Sequence, residues 1–143
     1  MKKDLGLYIH IPFCIKKCAY CDFLSWKSTE EEREDYVRAL EREIRSYGEF
    51  AGGYRVSTVF FGGGTPSVLT GEQTERILDA VHEVFLLEKE PEITLEMNPG
   101  TGEMKKLMEY RKMGINRLSI GLQSVKNENL KLLGRIHTYE EFL

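Results

Sequence analysis

All three cysteines of this 143-residue chain stand in one stretch, Tyr8-Ile9-His10-Ile11-Pro12-Phe13-Cys14-Ile15-Lys16-Lys17-Cys18-Ala19-Tyr20-Cys21-Asp22-Phe23, with the spacing Cys-x3-Cys-x2-Cys. Thiolates are the protein ligands of iron-sulfur clusters, and short spacings let one loop wrap its cysteines around a single inorganic core. Three thiolates cannot complete a 4Fe-4S cube, so Cys14, Cys18 and Cys21 would leave one iron open to an outside molecule, as reactive metal sites do and closed structural ones do not. The competing reading is structural zinc with His10 as fourth ligand. Zinc sites usually pair two short ligand clusters, and no second pair follows here. An odd number of thiols argues against a disulfide framework.

Three other stretches carry groups that could touch a ligand. Gly62-Gly63-Gly64-Thr65-Pro66 can bring backbone close to a bound molecule, although a glycine run also marks ordinary turns. Glu96, in Leu95-Glu96-Met97-Asn98-Pro99, is a carboxylate in an otherwise apolar strand end; the commoner fate of glutamate is a solvated rim. Gln123-Ser124 follows the apolar run that ends at Leu122.

The elements that must position these groups alternate. Leu5 to Ile11 reads as a buried strand ended by Pro12. Thr29 and Glu32 form a candidate capping box for a helix with Tyr36, Val37, Leu40, Ile44 and Tyr47 on one face, stopped at Gly48 or at Gly52-Gly53. Val56 to Phe61 is a second strand. Thr70 and Gln73 cap a second helix that buries Ile77, Leu78, Val81, Val84 and Phe85. Glu92 to Met97 is strand three, Glu103 to Met113 helix three with Gly114 at its C-cap, and Asn116 to Leu122 strand four; Thr138 caps a further helix. Strand-helix alternation implies right-handed crossovers and a parallel sheet. Four such units are too few to close a barrel, so the expected fold is α/β, an open arc of a parallel β/α barrel, with residues 1–143 forming one domain or part of one. Each motif then falls at the carboxyl end of a strand, where β/α barrels place their active sites.

The cysteine spacing, with Tyr20 before the last thiol, resembles the signature of the radical S-adenosylmethionine (radical SAM) superfamily. That resemblance implies a 4Fe-4S cluster on Cys14, Cys18 and Cys21, with S-adenosylmethionine on the open iron as the source of a 5'-deoxyadenosyl radical. It also implies a core of six strand-helix units, of which this chain resembles the first four and stops at Leu143. The glycine run is similar to the family's second motif, whose backbone carbonyls hold the methionine amino group. Many members have a glutamate after the glycine pair, whereas Thr65 stands here after three glycines, a variant that resembles the oxygen-independent coproporphyrinogen oxidase-like branch. By the same resemblance Tyr8, Tyr20, Gly63, Gly64, Thr65, Glu96, Gln123 and Arg135 are expected at S-adenosylmethionine: Gln123 at the nucleoside, Arg135 at the methionine carboxylate. Without the motif, core packing is the ordinary reading of the two tyrosines. No residue is assigned a catalytic role.

Within the branch the resemblance divides between a haem chaperone of the HemW type, which binds haem and delivers it to client proteins, and the oxygen-independent coproporphyrinogen III oxidase, which decarboxylates two propionate side chains. The oxidase usually carries a further cysteine two residues after the third ligand. Cys21-Asp22-Phe23 lacks it and resembles the chaperone form. The haem motif and a cofactor-contacting aspartate of the group are expected beyond Leu143.

A formal net charge of -3 gives no electrostatic footprint for nucleic acid. The N-terminal apolar run is too short for a signal-peptide core or a membrane span, so a cytoplasmic location is expected, with peripheral membrane contact left open. Strand four is expected to present an open edge and an uncovered face unless further chain or a partner follows it. Met97, Met104, Met108 and Met113 read as core filler, His82 and His137 as residues without a partner cluster, and Glu30 to Asp35 as solvated first turns of a helix. Replacing Cys14, Cys18 or Cys21 by Ala in the full-length protein is expected to abolish bound iron and the visible charge-transfer absorbance after anaerobic reconstitution; stoichiometric zinc with no iron in the unmodified protein contradicts the cluster assignment.

Overall fold

The structure, a computed structural model, describes residues 1–14, 28–98 and 104–120. Four strands, β1 (Lys3–Ile11), β2 (Tyr54–Gly63), β3 (Leu86–Met97) and β4 (Arg117–Ile120), form one sheet in the order β1-β2-β3-β4, every pairing parallel. Helices α1 (Glu30–Ser46), α2 (Gly48–Ala51), α3 (Gly71–Val84) and α4 (Met104–Lys112) lie in the connections.

The strands owe their orientation to two-residue alternation, interrupted once in β2 at Ser57, where the register shifts and Val56 and Val59 fall on the same side. Ile9 and Ile11 of β1, Val56, Val59 and Phe61 of β2, and Ile93, Leu95 and Met97 of β3 share one core with Val37 and Ile44 of α1, Ile77, Leu78 and Val81 of α3, and Tyr110 of α4. The helices among the described residues therefore cover one face. On the other face stand Tyr8, Thr58, Phe60, Glu92, Thr94, Glu96 and Arg117, by the same alternation. A doubly wound sheet would cover both faces; one helical face and one open face is the arrangement of a barrel arc, as expected.

Both capping boxes form. Thr29 and Glu32 exchange hydrogen bonds at the start of α1, and Thr70 and Gln73 do so at α3. Helix α1 ends at Ser46, just before Gly48, and the one-turn α2 that starts at Gly48 ends at Ala51 with Gly52 as its C-cap, so each glycine signal marks a helix end. The glycine run differs from expectation too: Gly62 and Gly63 are the last residues of β2, paired with His10 and Ile11, and only Gly64 onward is loop. Strand β3 begins at Leu86, six residues before the expected Glu92. Regular pairing nevertheless resumes at Thr58 with Glu92, because residues 88–91 bulge out of register between the Val56–Leu87 and Thr58–Glu92 pairs. Pro91 sits in that detour, where a missing N–H breaks no ladder bond. Gly114 closes α4 with φ of +103°, as its C-cap position requires.

The methionines divide. Met97 is buried, but Met104 and Met108 are 72% and 56% exposed on α4, so the core-filler reading fails for those two: they fall off the stripe that carries Leu107 and Tyr110. His82 is exposed. On β4, Leu118 and Ile120 are 38% and 43% exposed, the partly uncovered face expected of that strand. Thr138 and His137 lie outside the described residues.

One ion cluster fixes α1 to α3. Arg76 donates to Glu34 at 2.7 and 3.1 Å and to Glu41 at 2.7 Å, while Arg38 and Gln73 approach the Glu34 carboxylate at 3.2 and 3.4 Å. The Arg76 hydrogen bonds hold the Glu34 carboxyl below its ordinary range. A carboxylate depressed in the fold contributes stability above its unfolded pKa and loses it as pH falls through the folded one. Arg76→Met in the full-length protein is therefore expected to lower stability by about 1 kcal/mol at neutral pH, with the melting curves converging as pH drops below the ordinary carboxylate range; a deficit independent of pH assigns the loss to packing.

Candidate cofactor site at the strand ends

Cys14 leaves β1 through Pro12 and Phe13 and is buried. What seats it is the glycine run of the neighbouring strand. The Gly64 N–H donates to the Ile11 carbonyl at 2.8 Å, and the Thr65 N–H donates to the Phe13 carbonyl at 2.6 Å, so the exits of β1 and β2 are laced together. A β-carbon on Gly64 would collide with the Phe13 carbonyl oxygen and stand 2.8 Å from the Cys14 Sγ. The backbone of this run thus lies directly against the thiol, which only glycine permits. Gly63 has φ of +115° and packs against His10, a second position closed to other residues. From the helix side, the Tyr36 hydroxyl donates to the His10 carbonyl at 2.5 Å, and its ring meets Phe13 edge-on at 5.2 Å.

Strand β3 supplies the polar side of the rim. Glu96 is half-buried on the open face and accepts a hydrogen bond from the Gly63 N–H. Burial pushes its carboxyl above the ordinary range, and the Gly63 bond only partly offsets this. Two residues further, on the same side of the strand, Asn98 Nδ2 donates to Thr65 Oγ1 at 3.2 Å. Tyr8 is 60% exposed, which removes it from the core; its ring stacks on Phe60 at 5.9 Å and its hydroxyl lies 3.4 Å from His10 Nδ1 and over Gly62. Partial burial of the phenol, then the charge of Glu96, raise its pKa.

Cys14, Tyr8, Gly63, Gly64, Thr65 and Glu96 are therefore together at one end of the sheet, the carboxyl end. Cys18, Cys21, Tyr20, Gln123 and Arg135 lie outside the described residues. Among the described residues no group of three or more His, Cys, Asp or Glu could hold a metal, Cys14 being the one thiol of the trio described. The arrangement could seat a cationic group at this rim: backbone without side chains beside a thiol, a carboxylate whose charge is poorly solvated, and a buried hydroxyl. Sequence reasoning placed Asn98 at the rim without a role and gave none to Phe13 and Tyr36; the two-residue spacing of Asn98 from Glu96 was the available signal for the first, whereas the Tyr36 reach depends on how α1 crosses β1.

A carboxyl raised in the fold is penalised when charged, so it destabilises the fold as pH rises through the folded pKa. Glu96→Gln in the cofactor-free protein is expected to melt a few degrees higher at neutral pH, the gain vanishing below the ordinary carboxylate range; a variant that melts lower at pH 7 shows Glu96 to be a structural acceptor.

Comparison with known proteins agrees with this fold. The chain is 46% identical over 138 residues to the heme chaperone HemW of Escherichia coli (strain K12), an alignment covering 96% of this chain and 36% of that protein. It is 39% identical over 138 residues to radical S-adenosyl methionine domain-containing protein 1, mitochondrial, of Mus musculus, covering 96% of this chain and 31% of that one. The solved structure of the coproporphyrinogen III oxidase HemN from Escherichia coli, a radical SAM enzyme, superposes with a TM-score of 0.90 at 34% identity, covering 98% of this chain and 32% of that chain. The chain spans about a third of the length of these relatives. No helix among the described residues is long and apolar enough to cross a membrane. Residues 8–143 match the Radical SAM superfamily, whose members are defined by a 4Fe-4S cluster and S-adenosylmethionine, and the chain belongs to that family.

Proposed function

We infer that this chain is the cofactor-binding part of a haem chaperone of the radical SAM superfamily, a protein that binds haem and passes it to client proteins. In this reading Cys14, Cys18 and Cys21 hold the 4Fe-4S cluster. The Gly63-Gly64 backbone and the Glu96 carboxylate face the methionine ammonium group, Thr65 lies beside the methionine moiety, Gln123 binds the nucleoside and Arg135 the carboxylate, with Tyr8 and Tyr20 as flanking aromatics. Bound S-adenosylmethionine supplies radical chemistry at such a cluster. The protein's own part is to seat the cluster thiols on rigid strand ends, to neutralise an ammonium with a poorly solvated carboxylate, and to keep the rim dry.

The observation that carries the chaperone reading over the enzyme is local: Cys21 is followed by Asp22-Phe23, with no further cysteine two residues after the third ligand. The 46% identity to a protein named heme chaperone supports it. The alternative, oxygen-independent coproporphyrinogen III oxidase, is supported by the close superposition on that enzyme's structure. Haem, coproporphyrinogen III and client proteins would all engage parts of the full-length protein beyond this chain as well.

The experiment is anaerobic reconstitution of the full-length protein followed by parallel assays for haem binding and for conversion of coproporphyrinogen III. Tight haem binding without decarboxylation is expected. Decarboxylation at enzyme-like rates overturns the chaperone reading in favour of the oxidase.

A further inference from the structure

Thr65 carries a hydroxyl whose direction is set from outside the glycine run. The residue is 3% exposed. Its backbone is fully engaged, the N–H on the Phe13 carbonyl at 2.6 Å and the carbonyl accepting from the Val68 N–H at 2.9 Å, so the base of the side chain is fixed by the lacing of β1 to β2. Asn98 Nδ2 donates to Oγ1 at 3.2 Å. A hydroxyl has one proton and two lone pairs, and an amide N–H is only a donor. With Asn98 donating, the Thr65 proton must point elsewhere, and among the described residues no hydrogen bond takes it up. A buried donor is costly to leave unmade. The hydroxyl is thus held as a donor at a rim that also holds the Cys14 thiol and the Glu96 carboxylate.

We propose that Asn98 is a positioning residue: its amide fixes the Thr65 hydroxyl as a hydrogen-bond donor toward an acceptor on the bound cofactor, for which the methionine carboxylate is the strongest acceptor by charge. The proposal rests on the reading above that this rim seats S-adenosylmethionine. It requires an amide and not merely a polar residue at position 98. Aspartate has the same shape but can only accept when ionised; it would draw the Thr65 proton to itself and leave lone pairs facing the ligand.

The test is a double-mutant cycle on the anaerobically reconstituted full-length protein, read by S-adenosylmethionine dissociation constant, by the change in the reduced cluster's electron paramagnetic resonance spectrum on adding S-adenosylmethionine, by iron content and by melting temperature. Asn98→Asp is expected to weaken S-adenosylmethionine about tenfold or more, the size of one charge-assisted hydrogen bond, and to diminish the spectral change, with iron content unaltered. In a Thr65→Val background the same substitution is expected to change affinity less than about threefold, because the group it acts through is gone. Asn98→Ala, which adds no charge, is expected to weaken binding in the Thr65 background and to have little effect in Thr65→Val. Equal losses in both backgrounds assign the effect to charge or packing and overturn the proposal, as does a loss that tracks iron content. Unchanged affinity in every variant, with the unmodified protein binding S-adenosylmethionine, overturns the role of Asn98 alone. Failure of the reconstituted unmodified protein to bind S-adenosylmethionine overturns the cofactor reading and this proposal with it.

Discussion

The contact on which the rest depends is the absence of a β-carbon at Gly64. There the backbone of one strand exit lies against the carbonyl of Phe13 and the thiol of Cys14 on the next, and any side chain would have to displace one or the other. Neither can yield cheaply. The Phe13 carbonyl already accepts from Thr65 and the Ile11 carbonyl from Gly64, so moving this segment breaks two backbone hydrogen bonds between adjacent strands. Tyr36 closes the third side, tying the His10 carbonyl to α1. Cys14 therefore leaves β1 from an anchor built of rigid elements, the kind of support a metal site would demand.

Around that contact, the two periodicities of the chain divide the labour. Alternation along the strands sends Ile9, Ile11, Phe61, Leu95 and Met97 into the helix-covered core and leaves Tyr8, Phe60 and Glu96 on the open face. Because all pairings are parallel, the strands end on the same side, and the residues that follow their last pairs gather there without any sequence proximity. The helices contribute stability and alignment: the Glu34–Arg76–Glu41 cluster locks α1 on α3, and α1 in turn holds the exit of β1.

Much of this was legible because it is local. Capping boxes at Thr29 and Thr70, strand alternation and the C-cap glycine at Gly114 are each written in a few neighbouring residues, and all are present. The convergence of Cys14, the glycine run and Glu96 followed from strand order alone. What was not legible depends on register or on packing between distant elements. The detour at residues 88–91 turns on how β3 meets β2, and it hid the first six residues of the strand. The exposure of Met104 and Met108 turns on the rotation of α4 about its axis. That Gly62 and Gly63 are still strand, though glycine weakens strands, reflects the pairing partner: β1 presents His10 and Ile11 there, and the ladder continues through residues whose side chains could not fit.

Two carboxylates of the same chain show how the sites differ in kind. Glu34 has its charge answered by Arg76 and Arg38, and its pKa falls. Glu96 is half-buried, with one backbone N–H and no cation paired to it among the described residues, and its pKa rises. An ion pair that exists for the fold is satisfied by the fold; a carboxylate held partly dehydrated and unanswered is a standing cost in stability. That cost is recovered when a cation arrives, and the recovered free energy appears as affinity. A carboxylate already paired, such as Glu34, would have to give up its partner before it could hold a ligand. Charge is thus answered between the helices and unanswered at the rim, and a cation bound at Glu96 would stabilise the fold by mass action.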